Sequence, residues 1–523
     1  MALLVVGPLV ALPSSFLVGD VGLSEIAALL LPEALRNSIV LAAGVGAGTL
    51  VVGGSLAALV SFWEFPGRSW LDWALVLPLA MPGYVLVFLL LGRYGDGGPL
   101  QRGLRPLLGE DFLLPNIRSA PGAIVVLTAV LYPYVYALGR ATFLAQSRSA
   151  FEAARSLGLS HGAAVLRVAL PLARPALAAG ALLAIMEALA DFGAVNLLNY
   201  RALTDAVYRA WYGAFDRSGA LQLATVLVAL SLTVLALERL LRGAARHHGA
   251  LVTGEAVPPR RLHGWRALCA ATVPATLLGL VFVVPVGQLI IWAGRSLGSG
   301  ATATELARSA STTLALGVVA ALVTVGVATV VAYGRHATPS RAGAVAAVLS
   351  SLGYAVPGTV VAVAVYTPLI WLDRRLADAA RALFDIDLGL VITGSAIGLV
   401  IAYVVRFHAL ALFALDTRMG RIEPSLDEAA RSLGADRARI LREIHLPLLQ
   451  PGMLTAALLV FVEVMKELPA TALLRPLGGD TLAITVWEAT KDSRFDPAAL
   501  PALLIVAVGL VPVALLIRAS RGR

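Results

Sequence analysis

The chain has 523 residues, 59% hydrophobic and 14% charged, with 41 Lys+Arg against 32 Asp+Glu and a net charge of +9. A soluble domain carries about a quarter charged residues, so this composition excludes an ordinary water-soluble protein and fits one that lives in a membrane. The basic excess does not form a nucleic-acid surface, because its residues sit at the ends of apolar runs without aromatic interleaving.

Apolar segments fall at 2–18, 39–62, 72–92, 121–145, 174–196, 221–237, 267–293, 313–333, 343–371, 388–415, 449–474 and 499–517. Runs of about 20 residues cross a hydrocarbon core of roughly 30 Å as helices that satisfy their own backbone. A membrane barrel would alternate polar and apolar instead. The expected fold is therefore an all-α integral membrane protein with about 12 transmembrane helices. The single Cys269 lies in one of these runs, so no intrachain disulfide is possible and the thiol either faces lipid or is packed.

Residues 242–265, RGAARHHGALVTGEAVPPRRLHGW, have Gly, paired Pro and basic residues with no apolar period, and read as a linker. It divides the chain into halves at 1–241 and 266–523. His247 and His248 lack a further ligand nearby in sequence, and no metal is assigned there.

The halves are copies. Glu152–Pro175 and Glu428–Pro451 align without a gap at an offset of 276, with 11 of 24 positions identical. Pro82-Gly83 in AMPGYVLVF faces Pro357-Gly358 in AVPGTVVAV, and Glu187 matches Glu463. Six helices per copy give parallel repeats related by an axis along the membrane normal, with the substrate path between the halves. Pro82 and Pro357 fall inside spans, where proline breaks or kinks a helix, and are candidate gate positions. The second copy's first helix starts near Arg266, and its counterpart would precede Met1 by about ten residues; without a basic region or cleavage site, a late start codon explains this better than a signal peptide.

With both repeated loops placed in the cytoplasm, that side holds 24 Lys+Arg against 11 Asp+Glu and the other holds 16 against 17. This is the positive-inside bias, and it puts both termini and the linker in the cytoplasm as well. Each loop reads as a short Ala-rich helix, a Gly turn, a second helix and a Pro that opens the next span.

The loop residues are Glu152, Ala153, Ala154, Gly158, Leu170 and Pro171 in the first copy, and Glu428, Ala429, Ala430, Gly434, Leu446 and Pro447 in the second. The pattern E-A-A, three residues, G, nine residues, I/V, one residue, L-P resembles the loop signature of ABC importer permeases, and both copies match it. The resemblance implies that Glu152 to Leu159 and Glu428 to Ala435 are coupling helices seated in grooves of ATPase subunits. It implies two such subunits for the pair of loops, a periplasmic substrate-binding protein, and a bacterial inner-membrane location. No G-x-x-x-x-G-K-[ST] occurs in the chain. ATP and Mg would accordingly belong to the partner ATPase, with no cofactor on this chain, which is not itself an enzyme.

Residues 188–224 and 464–500 are similar to the stretches that follow each loop in fused iron(III) permeases. Ferric iron is the implied cargo, with thiamine, polyamine and phosphonate as alternatives. Glu187 and Asp191 on one span, and Glu463, Lys466 and Glu467 on its counterpart, are charges at membrane depth; spacings of four put each carboxylate pair on one helix face. They either line a translocation path or, in part, are neutralised by Lys466. Tyr208, Trp211, Tyr212 and Trp487 in the outer loops either meet the binding protein or anchor the membrane interface. A secondary transporter driven by an ion gradient also fits the duplication and the buried acids, but it needs no paired loop; nothing resembles a channel's selectivity filter.

Overall fold

The computed structural model describes residues 1–16, 22–95, 98–109, 111–146, 148–248, 257–297, 302–337 and 340–521, and these are almost wholly helical. Among them, nine helices are long and apolar enough to cross a membrane: Glu25–Phe62, Ala120–Leu144, His161–Ala190, Arg217–Leu241, Gly264–Ser296, Thr304–Ala337, Ala396–Met419, Arg437–Met465 and Phe495–Leu515. Two further spans are broken, Arg68–Ala80 with Gly83–Tyr94 at 88° and Arg341–Ala355 with Gly358–Phe384 at 119°. Counting each bent pair once gives eleven. The difference from twelve lies at 2–18, where the apolar helix covers only Ala2–Phe16. Residues 17–21, where the expected segment ends, lie outside the described residues.

Large apolar side chains such as Leu29, Val51, Leu322 and Phe413 face outward along these helices, and Cys269 is exposed with them. In water such a surface would aggregate; against lipid it needs no cover. Inside, small residues let helices touch: a Cβ on Gly53 would stand 2.6 Å from the Tyr132 carbonyl oxygen, and one on Gly180 would stand 2.8 Å from Val135 Cα.

The described chain forms two compact units, and they are not the two sequence repeats. One comprises Met1–Leu31, Ala206–Val228 and Ala301–Thr485; the other comprises Pro32–Asp205, Ala229–Gly300 and Val486–Arg523. In the first unit, the helix Ala2–Ala11 packs on Arg341–Ser350 and Gly358–Phe384, elements of the second repeat. The Tyr212 hydroxyl donates to the Leu473 carbonyl at 3.0 Å, and the Arg217 guanidinium lies over the rings of Trp211 and Tyr366.

In the second unit, the helices Val284–Leu297 and Phe495–Arg521 pack on each other, and Phe495–Arg521 also packs on the first repeat's broken span. Trp292 and Phe495 sit 5.6 and 5.8 Å from the Phe88 ring. Gly509 lies so close to Ala80 that a Cβ there would strike its carbonyl oxygen. Each repeat has thus given outer helices to the core of the other.

The linker is shorter than its composition implied. The helix Arg217–His248 runs into it, with the side chains of residues 242–248, His247 and His248 included, outside the described residues, as are residues 249–256 entirely. Beyond them, Arg260–Arg261 pairs in parallel with Trp63–Glu64, and the Leu262 N–H donates to the Glu64 carbonyl at 2.9 Å. The linker's far end is therefore pinned beside the end of Glu25–Phe62.

Candidate functional site

Each repeated loop folds in the same way, from the same residues. The first loop helix is Arg148–Ser156 and the second is Pro424–Ser432, each starting four residues before the expected Glu152 and Glu428. Ala154 and Ala430 are buried against the body, while Glu152, Ala153, Glu428 and Ala429 are exposed. Gly158 then takes φ +91° and Gly434 φ +81°, a left-handed conformation that costs a residue with a Cβ about 1–2 kcal/mol. The helix end closes identically: Leu159 N–H donates to Ala154 O at 3.2 Å, and Ala435 N–H donates to Ala430 O at 3.0 Å.

A second short helix follows, His161–Ala164 or Arg437–Ile440, capped by Ser160 Oγ accepting from Ala163 N–H and by Asp436 Oδ1 accepting from Arg439 N–H. The chain does not then start a new span at Pro171 or Pro447. It passes through a π turn, Val165–Ala169 or Leu441–His445, straight into Leu170–Ala190 or Leu446–Met465. A π turn already shifts the hydrogen-bond register, so a residue without an amide hydrogen fits at its end. The continuous helix His161–Ala190 has 30 residues and runs to about 45 Å, about 15 Å more than the hydrocarbon requires. The loop is therefore held on a rigid stalk.

One surface feature of the loops escaped the sequence reading. Leu157 and Leu433, immediately before the Gly turns and related by the same offset of 276, are 85% and 86% exposed. They are large apolar side chains at the loop tips, outside the apolar spans. Their identity in the two copies of A-R-S-L-G was the available signal.

The membrane-depth charges are arranged differently from the expectation. The helix Leu170–Ala190 ends before Asp191, whose backbone is extended, and Leu446–Met465 ends before Lys466 and Glu467. Neither acid pair shares a helix face. Instead each second acid caps a short helix beyond the break: Asp191 Oδ1 accepts from Ala194 N–H at 2.7 Å, and Glu467 Oε1 accepts from Ala470 N–H at 3.0 Å. Amide hydrogens left open at a helix start attract a carboxylate more strongly than a continued helix would hold it. Asp191 and Glu467 are related by the repeat offset, so both halves carry the same device.

Both capped breaks abut the proline breaks. Pro82 and Pro357 stand immediately before the helices Gly83–Tyr94 and Gly358–Phe384. A Cβ on Gly83 would meet Asp191 Oδ2 at 2.8 Å, and one on Gly358 would meet Glu467 Oε1 at 2.7 Å and strike the Arg406 guanidinium. Glu467 pairs with Arg406 at 3.3 Å, both largely buried, where the aligned position of the first half is Val130. Lys466 pairs with Glu463 at 2.8 Å, and Glu187 is half-buried.

Of the outer aromatic residues, Trp487 is buried: its Nε1 donates to Asn196 Oδ1 at 3.0 Å and its ring lies 5.7 Å from Phe192. Its side chain is packed inside its unit, away from the surface. Trp211 is buried beneath Arg217, and Tyr212, its ring tilted against Tyr208 at 5.3 Å, lines a cavity of about 440 Å³.

The family described as "Binding-protein-dependent transport system inner membrane component" matches the chain twice, over residues 50–246 and 337–522. The chain is 28% identical to an Fe(3+)-transport system permease protein of Haemophilus influenzae over 505 residues, 95% of this chain and 92% of that protein. It is 32% identical to a probable molybdenum ABC transporter permease protein of Haloferax volcanii over 38% of this chain and 71% of that one. It is 37% identical to a sulfate transport system permease protein of Escherichia coli over 29% of this chain and 50% of that one.

Proposed function

The chain belongs to the family of inner-membrane components of binding-protein-dependent transport systems, and from there we propose that it carries ferric iron across the bacterial inner membrane. It is the membrane-spanning permease subunit of an ABC importer, a transport component that works with a substrate-binding protein and an ATPase. The observation that carries the mechanism is the twin loop, two copies of one helix, turn, helix and π-turn unit on rigid stalks. Each loop docks one ATPase subunit, two in all, on the cytoplasmic side, where both termini also lie. ATP and Mg sit on those subunits, and their closure moves the stalks and reorients the halves.

Iron is favoured over thiamine, polyamine, phosphonate, molybdate and sulfate by the extent of the likeness. The iron permease aligns over nearly the whole fused chain, while the molybdenum and sulfate permeases align over less than half of it. In this reading Glu187, Asp191, Glu463, Lys466 and Glu467 border the translocation path, and the breaks at Pro82 and Pro357 gate it. The capped breaks support this, since irregular backbone at membrane depth is tolerated only inside protein or along a cavity.

The test is ATP hydrolysis by the lipid-embedded complex with its ATPase, comparing the binding protein empty, ferric-loaded and thiamine-loaded. Stimulation by the ferric form alone is the expected result, abolished by Leu157→Asp with Leu433→Asp. Stimulation by thiamine alone would move the cargo and leave the architecture standing; hydrolysis indifferent to the binding protein and to the loop variants would overturn the importer mechanism.

A further inference from the structure

Three donor side chains, far apart in sequence, converge at the base of the second loop. Asp427 lies on the loop helix Pro424–Ser432, His445 ends the π turn Leu441–His445, and His336 is in the last turn of Thr302–Ala337. One ligand atom from each falls within 4.8 Å of the others. His445 Nε2 is 2.7 Å from Asp427 Oδ1, and His336 Nε2 is 3.8 Å from Asp427 Oδ2. Asp427 and His445 are buried, while His336 opens onto a cavity of about 330 Å³ shared with Arg335, Ser340 and Asp416.

The chemistry of this set suits a metal better than a structural ion pair. Two imidazoles aimed at one buried carboxylate exceed what that carboxylate needs, whereas two imidazole nitrogens and a carboxylate oxygen are three ligands of a tetrahedral site with an open position. Ligand atoms around such an ion stand about 3.3 Å apart, given bonds of about 2.0–2.1 Å; the separations of 2.7 and 3.8 Å lie on either side of that value. The cavity at His336 gives a path for the ion and room for a water. Arg431 Nη2, at 3.6 Å from Asp427 Oδ2, is on a half-exposed side chain that can turn to solvent.

The first half builds this place differently, without a carboxylate and with a single buried imidazole, His161, whose Nε2 lies 3.0 Å from the Phe62 carbonyl. Phe151 occupies the position aligned with Asp427, and Ala169 the one aligned with His445. Phe151 stacks on Phe62 with ring centroids 5.6 Å apart and planes 8° from parallel. One loop helix is thus held by an apolar stack, and the other by a buried cluster of metal-binding side chains.

We propose that His336, Asp427 and His445 bind one divalent transition-metal ion of the zinc and ferrous class, tying the second loop helix to the ends of Thr302–Ala337 and the π turn. Occupancy would stiffen the second loop alone. The site stands whatever the transporter's cargo; only its effect on ATPase docking rests on the importer reading. No sequence spacing pointed to it, because the ligands lie 91 and 18 residues apart.

The test uses the full chain, purified without a histidine tag and placed in lipid discs, titrated with Co²⁺ and followed by its visible absorption, with equilibrium dialysis against Zn²⁺. One ion per chain is expected, with a tetrahedral cobalt spectrum. His336→Ala should weaken binding by about a hundredfold or more, with Asp427→Asn as a second variant and unchanged helical content as the control for folding. His247→Ala with His248→Ala should leave it intact. Failure to bind one ion per chain, or binding that survives His336→Ala and disappears in the linker variant, would overturn the site.

Discussion

At the scale of single residues, Leu157 and Leu433 stand out as a repeated pair of highly exposed leucines beside the loops' Gly turns. Burying such a side chain in a partner's groove is worth about 1.5–3 kcal/mol, so Leu433→Asp is expected to weaken ATPase association by about tenfold or more. Thermal stability of the chain should be unchanged, since the side chain touches solvent; pull-down at graded ATPase concentrations measures the first and a melting curve the second. Gly434→Ala acts differently. No heavy atom lies within 4 Å of its added Cβ, so its cost is backbone alone, about 1–2 kcal/mol, read as faster amide exchange confined to the loop helix. The loop residues from Glu152 and Glu428 onward were legible because identity and spacing there are local facts of the chain. His336 was not, because nothing near it in sequence marks it.

At the scale of elements, the informative positions are where helices stop. Periodicity predicted continuous spans at 174–196 and 449–474, with the charges just past Ala190 and Met465 read as faces of a continuing helix. What ends the helix is the gain of a carboxylate on the next helix's free amides, a three-residue relation at Asp191–Ala194 and Glu467–Ala470. The Pro-Gly breaks at 82–83 and 357–358 were legible, since proline marks itself. Gly358→Ala is expected to force apart the buried Arg406–Glu467 pair. Breaking such a pair costs about 3–5 kcal/mol, so the protein should melt lower than with Gly83→Ala, where no arginine lies among the three nearest atoms. Equal melting temperatures for the two variants would contradict this ordering.

At the scale of the whole molecule, the repeats of the sequence and the compact units of the fold divide the chain differently. Helices from residues 1–31 and 206–228 complete a core built from 301–485, and helices from 229–300 and 486–523 complete one built from 32–205. Residues 1–241 expressed alone should therefore be degraded or aggregate, because Phe88 loses Trp292 and Phe495 and Ala80 loses Gly509. Co-expression with residues 242–523 should restore a stable complex, which gel filtration of the pair in detergent would show. Stable accumulation of the first half by itself would contradict the exchange of helices.

The amino-acid sequence by itself determined the membrane setting, the duplication, the helical class and both loop units, all of which rest on composition, period and short-range identity. Only the tertiary structure decided which helices complete which core and that Asp427 meets two histidines. Those outcomes depend on contacts between residues tens to hundreds of positions apart, and hydrophobic burial rewards such contacts without leaving a local pattern to read.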